Sequence, residues 1–487
     1  MPEPTEQREP ARRDDPIELT RLTATEALAR LRAGELTSTE LTDAVIARAE
    51  AVEPTVNAFT VTMFEQAREA AAAADVRWRE GTARPLEGLP IAIKSSTPLA
   101  GQPYTSSSLL FAERKAEVTA PAVQRILDAG GIVHARTTAP EFACAPFTHS
   151  RLYGITRNPW NPAFSPGGSS GGAAAALAAG TTVLADGSDI GGSIRIPASS
   201  CGIVGYKPPH GRVPLGGSAG LDLYCHLGPM ARTVEDCALL HGVIAGPHPW
   251  DMMSLPPMEA PQAPFRDPAG LRVGLSLTLG GYVIDPEVAA ATRAAAEWLA
   301  QAGVEVEEVD PAWDPAEIAL AARIHFGTLF AQEMEPLLAQ RDQLTPHAID
   351  FVERSVPVAR EHGYLRSLEL AGRAQAALAA VFAQVDVLIC PTLPIAAFAA
   401  GEDYVERPVV VDGTPLDDVL ASLTTVPFNV CSRHPVLSVP SGRDAAGVPT
   451  GLQVVGRPHD EESVFRVAAA VERLTQSSYT PQRGAVL

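Results

Sequence analysis

Apolar residues recur at three- and four-residue intervals over residues 23–31 and again over 38–46. This spacing predicts two amphipathic helices, with Ser38 as the cap of the second. Residues 63–78 are alanine-rich and predict a third, so residues 16–80 read as a helical layer. The rhythm changes at Leu86. Gly88-Leu-Pro-Ile-Ala-Ile-Lys94 is a short apolar run and predicts a buried strand ending at Lys94. Residues 118–129 predict a helix and 131–135 the next strand. Such alternation implies a sheet covered by helices. The proline- and glycine-rich stretch 159–172 reads as a loop, and 173–179 as a short helix stopped by Gly180. Residues 181–184 read as a strand leading into a second glycine-rich loop, 187–192.

Farther on, residues 246–268 are proline-rich and read as a linker or surface crossing. A strand is predicted at 271–275, a helix at 286–303 and an alternating strand at 304–309. Residues 315–384 are almost wholly helical, as a lid or side layer. Buried strands follow at 385–390 and 435–440. No internal repeat is present.

Composition narrows the class. The chain has 487 residues, 46% of them hydrophobic, enough for a large core. Its formal charge of −19 argues against a nucleic-acid backbone or an anionic membrane as partner. Residues 1–15 are polar and charged, which predicts a disordered tail rather than a signal peptide. The longest small-apolar run, 173–185, is interrupted by Gly180 and two threonines and is too short to span a bilayer. The six cysteines form no Cys-x-x-Cys pair, which predicts reduced thiols and a cytoplasmic protein. Neither a histidine cluster nor zinc-ligand spacing appears along the chain, so no metal and no cofactor are expected.

The chemistry concentrates in Ser165-Pro-Gly-Gly-Ser-Ser-Gly-Gly172 and Asp189-Ile-Gly-Gly-Ser-Ile-Arg-Ile-Pro197. Either run alone reads as a flexible loop. Two of them flanking a short helix and strand are more specific. Consecutive glycines let backbone N–H groups converge on one point, as a developing oxyanion requires. A serine directly after them is a natural nucleophile. Neither run holds a histidine to act as base. A lysine carried inward by Leu89, Ile91 and Ile93 loses its charge more easily, so Lys94 is the candidate.

These residues resemble the amidase signature family, from about Leu86 to Glu472. The resemblance rests on Gly88–Lys94, Thr138-Ala-Pro-Glu-Phe142, Asn158-Pro-Trp-Asn161, the two glycine–serine motifs, Cys201-Gly-Ile-Val-Gly-Tyr-Lys-Pro208 and Gly451-Leu-Gln-Val-Val-Gly456. It implies an α/β fold, a central mixed β-sheet sandwiched by helices, within a single domain over 16–487. It implies Ser193 as nucleophile, Ser169 as proton relay on a cis peptide bond after Gly168, and Lys94 as base. The N–H groups of Ile190, Gly191, Gly192 and Ser193 would form the oxyanion hole. Asp189 and Arg195 would pair to stiffen the loop, and Ser170 would support the relay. The chain departs from the family in Ser95, where aspartate usually follows the lysine, in Ser188 for threonine, and in Phe428-Asn-Val-Cys-Ser-Arg-His-Pro435.

Two other catalytic readings compete with this one. Gly167-Gly-Ser-Ser-Gly171 formally matches the nucleophile elbow of α/β-hydrolases, with Ser169 as nucleophile and His434 or His459 as base. However, it follows Ser165-Pro166 rather than a strand. The second is the amidase subunit of a glutamine-dependent tRNA amidotransferase; those proteins usually carry glutamine where this chain has Ile196. A non-catalytic binding module is disfavoured by the intact triad positions. Tyr104, Phe142, Cys144, Phe428 and Arg433 are expected to line the substrate pocket, with Phe147 among its large apolar groups. Such a pocket would favour bulky neutral amides, with aryl ester and carbamate hydrolysis besides. The expected partner is therefore a small-molecule amide, ester or carbamate, with no nucleic acid and no membrane; self-association is left open.

Overall fold

The computed structural model describes residues 15–475. Residues 1–14 of the expected tail lie outside that range. The helix Ala24–Ala33 is capped by Thr23, and Ser38–Val56 by Thr37 rather than by Ser38. Thr37-Ser-Thr-Glu40 is a capping box: Thr37 Oγ1 accepts from the Glu40 N–H at 3.1 Å, and Glu40 Oε2 from the Thr37 N–H at 2.9 Å. Ser38 is the first helical residue, and its hydroxyl donates to Gly88 O at 2.8 Å. That bond ties the helical layer to the turn before the Lys94 strand.

The centre is an eleven-stranded mixed sheet. Its order is Phe59–Thr62, Ile132–Thr137, Pro90–Lys94, Leu184–Asp189, His226–Ala231, Val204–Lys207, Val436–Arg443, Pro449–Gly456, Val387–Pro391, Arg272–Leu275 and Glu305–Glu308. Pro90–Lys94 runs parallel to both neighbours, while the middle strands pair antiparallel. Ile91, Ile93, Leu184, Val454 and Ile389 pack into a core on one face. Ala92 and Ala135 face the other, against Ala175 and Ala176 of the helix Gly171–Ala179. Burial on both faces explains why these strands read as continuous apolar runs rather than as alternating ones. The same helix is buried all round, which accounts for its small side chains.

Two elements start three residues later than expected. The helix predicted from 118 starts at Pro121, whose fixed φ suits the first helical position. The strand expected at 181–184 is instead Leu184–Asp189, so Gly187, Ser188 and Asp189 are ladder residues. Thr181 and Thr182 end the preceding turn by donating to Ala176 O and Leu184 O. The region 315–384 folds as Pro315–Phe326, Pro346–His362 and Tyr364–Phe382, joined through shorter helical turns. None of the described helices is long and apolar enough to cross a membrane.

Candidate active site

Lys94 ends its strand fully buried, with Nζ donating to Ser169 Oγ and Ser188 Oγ at 2.8 Å each. Burial pushes its pKa down to about 7, against the opposing pull of Asp186 and Asp189. The Gly168–Ser169 peptide is cis. A Cβ on Gly168 would stand 2.5 Å from Phe147 O, so only glycine fits there. Sequence reasoning missed Asp186. Its Oδ1 accepts from the Lys94 N–H and its Oδ2 from the Thr97 hydroxyl, both at 2.6 Å. With Ser95 after the lysine, it is Asp186 that holds the turn. A carboxylate inside the apolar run Val183-Leu-Ala-Asp186 was the available signal, because buried acids are rare without partners. Arg136, also buried, donates to the carbonyls of Lys94, Ser95 and Thr97 at 2.9, 3.1 and 2.5 Å.

Ser193 follows the glycine turn at the start of the helix Arg195–Cys201, 8% exposed and facing a pocket. Its carbonyl accepts from the Ser170 N–H at 3.1 Å. The Ser170 hydroxyl donates to Ser188 O at 3.3 Å. Among the described residues Ser193 Oγ makes no hydrogen bond, so no direct bond joins it to Ser169. The Gly192 N–H is already given to Asp189 Oδ1 at 2.9 Å. That removes one of the four expected oxyanion donors and leaves the N–H groups of Ile190, Gly191 and Ser193. Gly192 has φ +124°, and a Cβ there would overlap Thr425 Oγ1.

Asp189 and Arg195 form a fully buried two-pronged pair, Nε to Oδ2 at 3.0 Å and Nη2 to Oδ1 at 2.9 Å. Burial alone would raise the Asp189 carboxyl, but Arg195 beside it holds the pKa below the usual range. The remaining Arg195 donors go to Thr425 O, Gln453 Oε1 and Asn429 Oδ1. Asn429 also donates to Asp189 Oδ1 at 2.8 Å. Gln453 belongs to the C-terminal motif 451–456, whose purpose was not legible along the chain. His434 Nδ1 donates to Gly456 O and its Nε2 accepts from Gln375 Nε2, so it is engaged away from Ser169.

Of the five expected pocket residues only Cys144 lines the pocket. Phe142 packs with Met334 and Val352, and Phe428 is wholly buried in another core. Arg433 donates to His210 O, and Tyr104 stacks against Arg114. Phe147 does reach the pocket. The rest of the wall comes largely from the helical region after 315, through Phe326, Phe330 and Phe351, together with Ile190 and Ile196. Charges sit there too: Arg323 pairs with Asp418 at 2.5 Å, and Arg354 with Asp350 at 2.7 Å. The structure also gathers His149, His347 and Asp403, a cluster that linear spacing concealed.

Residues 40–465 match the family described as Amidase. The chain is 37% identical to a glutamyl-tRNA(Gln) amidotransferase subunit of Chloroflexus aurantiacus, over 94% of this chain and 98% of that protein. Its fold is similar to that of a bacterial aryl acylamidase of the amidase signature enzymes, with a TM-score of 0.87 and 26% identity over 96% of this chain and 99% of that one. It is also similar to the corresponding glutamyl-tRNA(Gln) amidotransferase subunit from Thermotoga maritima, with a TM-score of 0.74 and 25% identity over 94% and 96%. The relatives' names correct two expectations. The hydrolase of bulky neutral amides, esters and carbamates gives way, because relatives aligned over nearly the whole chain are amidotransferase subunits. The exclusion of nucleic acid gives way with it, since those names include a tRNA. The first expectation leaned on aromatic residues that mostly lie outside the pocket. The second leaned on net charge, which describes this chain's own surface and not its assembly.

Proposed function

The chain belongs to the Amidase family, an enzyme family acting on carbon–nitrogen bonds, and on that premise we propose that it is the amidase subunit of a glutamine-dependent tRNA amidotransferase. Ser193 attacks the side-chain carboxamide of glutamine. Neutral Lys94 takes the Ser169 proton while Ser169 takes that of Ser193, a relay supported by the 2.8 Å Lys94–Ser169 bond. The relay closes once substrate brings Ser193 Oγ toward Ser169. The oxyanion rests on the N–H groups of Ile190, Gly191 and Ser193. Returned along the relay, the proton lets ammonia leave, and water then releases glutamate from Ser193.

One observation carries the substrate assignment: the Ser193 pocket holds charges of both signs, Arg323 with Asp418 and Arg354 with Asp350. A zwitterionic amino-acid head can exchange with such pairs, its carboxylate for an aspartate and its ammonium for an arginine. The tRNA is met by a partner protein of the complex, since this chain carries −19. Free cysteines and the tRNA substrate are in keeping with a cytoplasmic location.

Ammonia release from L-glutamine by the chain, alone and with its partner proteins, tests this reading. Covalent capture of Ser193 by a diazoketone analogue of glutamine is the companion measurement. Turnover of simple amides without either glutamine signal would sink it.

A further inference from the structure

Three side chains distant in sequence meet in one part of the pocket wall. His149 lies on the short strand His149–Ser150, His347 in the first turn of the helix Pro346–His362, and Asp403 in the loop before the strand Val409–Val411. Asp403 Oδ1 lies 3.0 Å from His149 Nε2 and 2.6 Å from His347 Nδ1. One ligating atom from each residue falls within 4.8 Å of the others. His347 and Asp403 both line the pocket. The histidine side chains are 10% and 4% exposed and that of Asp403 24%, so the carboxylate forms the open side. The Phe147 ring stacks on His149 at 5.1 Å and meets His347 edge-on at 5.4 Å, which sets both ring planes.

Glu141 stands behind His347 through Thr345. Glu141 Oε2 accepts the Thr345 N–H at 2.6 Å and the Thr345 hydroxyl at 2.7 Å. Thr345 Oγ1 also lies within hydrogen-bond reach of His347 Nε2, at 3.1 Å. His347 Nδ1 hydrogen-bonds Asp403 Oδ1 at 2.6 Å and His149 Nε2 points at the same oxygen, so an ion bound there takes the place of a ring proton. A carboxylate relayed to the far ring nitrogen is the outer support that metal-binding histidines use to fix tautomer and orientation. Glu141 Oε1 is buried without a partner among the described residues.

We propose that His149 Nε2, His347 Nδ1 and Asp403 bind one divalent first-row transition-metal ion in the wall of the Ser193 pocket. Two histidines and one carboxylate leave further coordination positions, which water or a group in the pocket fills. Ligands about 2.1 Å from such an ion lie about 3.4 Å apart in a tetrahedral site, so Asp403 Oδ1 must move away by about 0.4 Å from His149 Nε2 and about 0.8 Å from His347 Nδ1. Asp403, on a loop, supplies that movement.

The full-length protein, stripped with a chelator and dialysed, is titrated with cobalt(II). The expected result is a visible ligand-field band saturating at one equivalent and displaced by zinc. Zinc should also raise the unfolding midpoint. His149→Ala and Asp403→Asn should each weaken zinc binding by at least about 100-fold, and Glu141→Gln by about tenfold. Circular dichroism establishes that the variants fold, and the wild-type cobalt spectrum decides without them. Absence of the cobalt band would mean that the ring proton of His347 holds the position of the ion, and would overturn the site. Undiminished zinc affinity in both His149→Ala and Asp403→Asn would overturn it equally.

Discussion

Gln453 Oε1 accepts a hydrogen bond from Arg195 Nη1 at 2.7 Å, joining residues 258 positions apart. The bond links the C-terminal motif to the loop that presents Ser193. Gln453 Nε2 in turn donates to Thr424 O and Pro391 O, so the amide spans three segments. Replacing Gln453 by leucine leaves one Arg195 donor without its acceptor and should cost about 1–3 kcal/mol of unfolding free energy. Replacing Arg195 by leucine isolates the Asp189 charge in the interior and should cost about 3–5 kcal/mol. Denaturant unfolding of both variants checks the ranking; equal losses would argue against it.

Ser193→Ala should lower glutamine turnover by at least about 1000-fold while the unfolding midpoint stays near that of the parent. Mass spectrometry of a phosphonate-treated sample should find the adduct on the peptide that holds Ser193. An adduct on Ser169 instead would reverse the two roles.

The pH dependence follows from Lys94. A base must be deprotonated, so kcat/KM should rise with pH and reach half its plateau near 7, the value to which burial lowers this lysine. Asp186 opposes that lowering, because its charge favours the ammonium form. Asp186→Asn should therefore move the midpoint toward acid. A midpoint that moves toward alkali instead would mean that Asp186 acts on the lysine in some other way.

Gly192→Ala tests the close approach of the glycine turn. The new methyl would overlap Thr425 Oγ1, which itself donates to Gly191 O at 2.7 Å, and the backbone φ of +124° disfavours any side chain. Turnover should fall by about 100-fold or more through displaced oxyanion donors. Gly192→Ala combined with Thr425→Gly, which removes the overlapping atoms, should not recover it fully, because the φ penalty remains.

Local chemistry was legible along the chain wherever it depends on neighbours in sequence. The Lys94 strand reads from its apolar run, the helix Gly171–Ala179 from its alanines and the closing Gly180, and the two serine motifs from their consecutive glycines. The cap of the second helix differs by one residue from expectation because Ser38 and Thr37 are both good caps, and Glu40 chooses between them through its reach to the Thr37 N–H. What remained hidden depends on pairs brought together by sheet order. Asp186 serves Lys94 because their strands are parallel neighbours, a fact that no spacing of 92 residues encodes. The pocket lay beyond sequence reasoning for the same reason. Phe142 and Phe428 are as apolar as Phe326 and Phe351, and only the packing of the helices after 315 against the Ser193 loop decides which rings face the cavity. His149, His347 and Asp403 read as unrelated residues until three separate segments converge, since a ligand set is defined by distances in space that a chain of this length can satisfy from any separation.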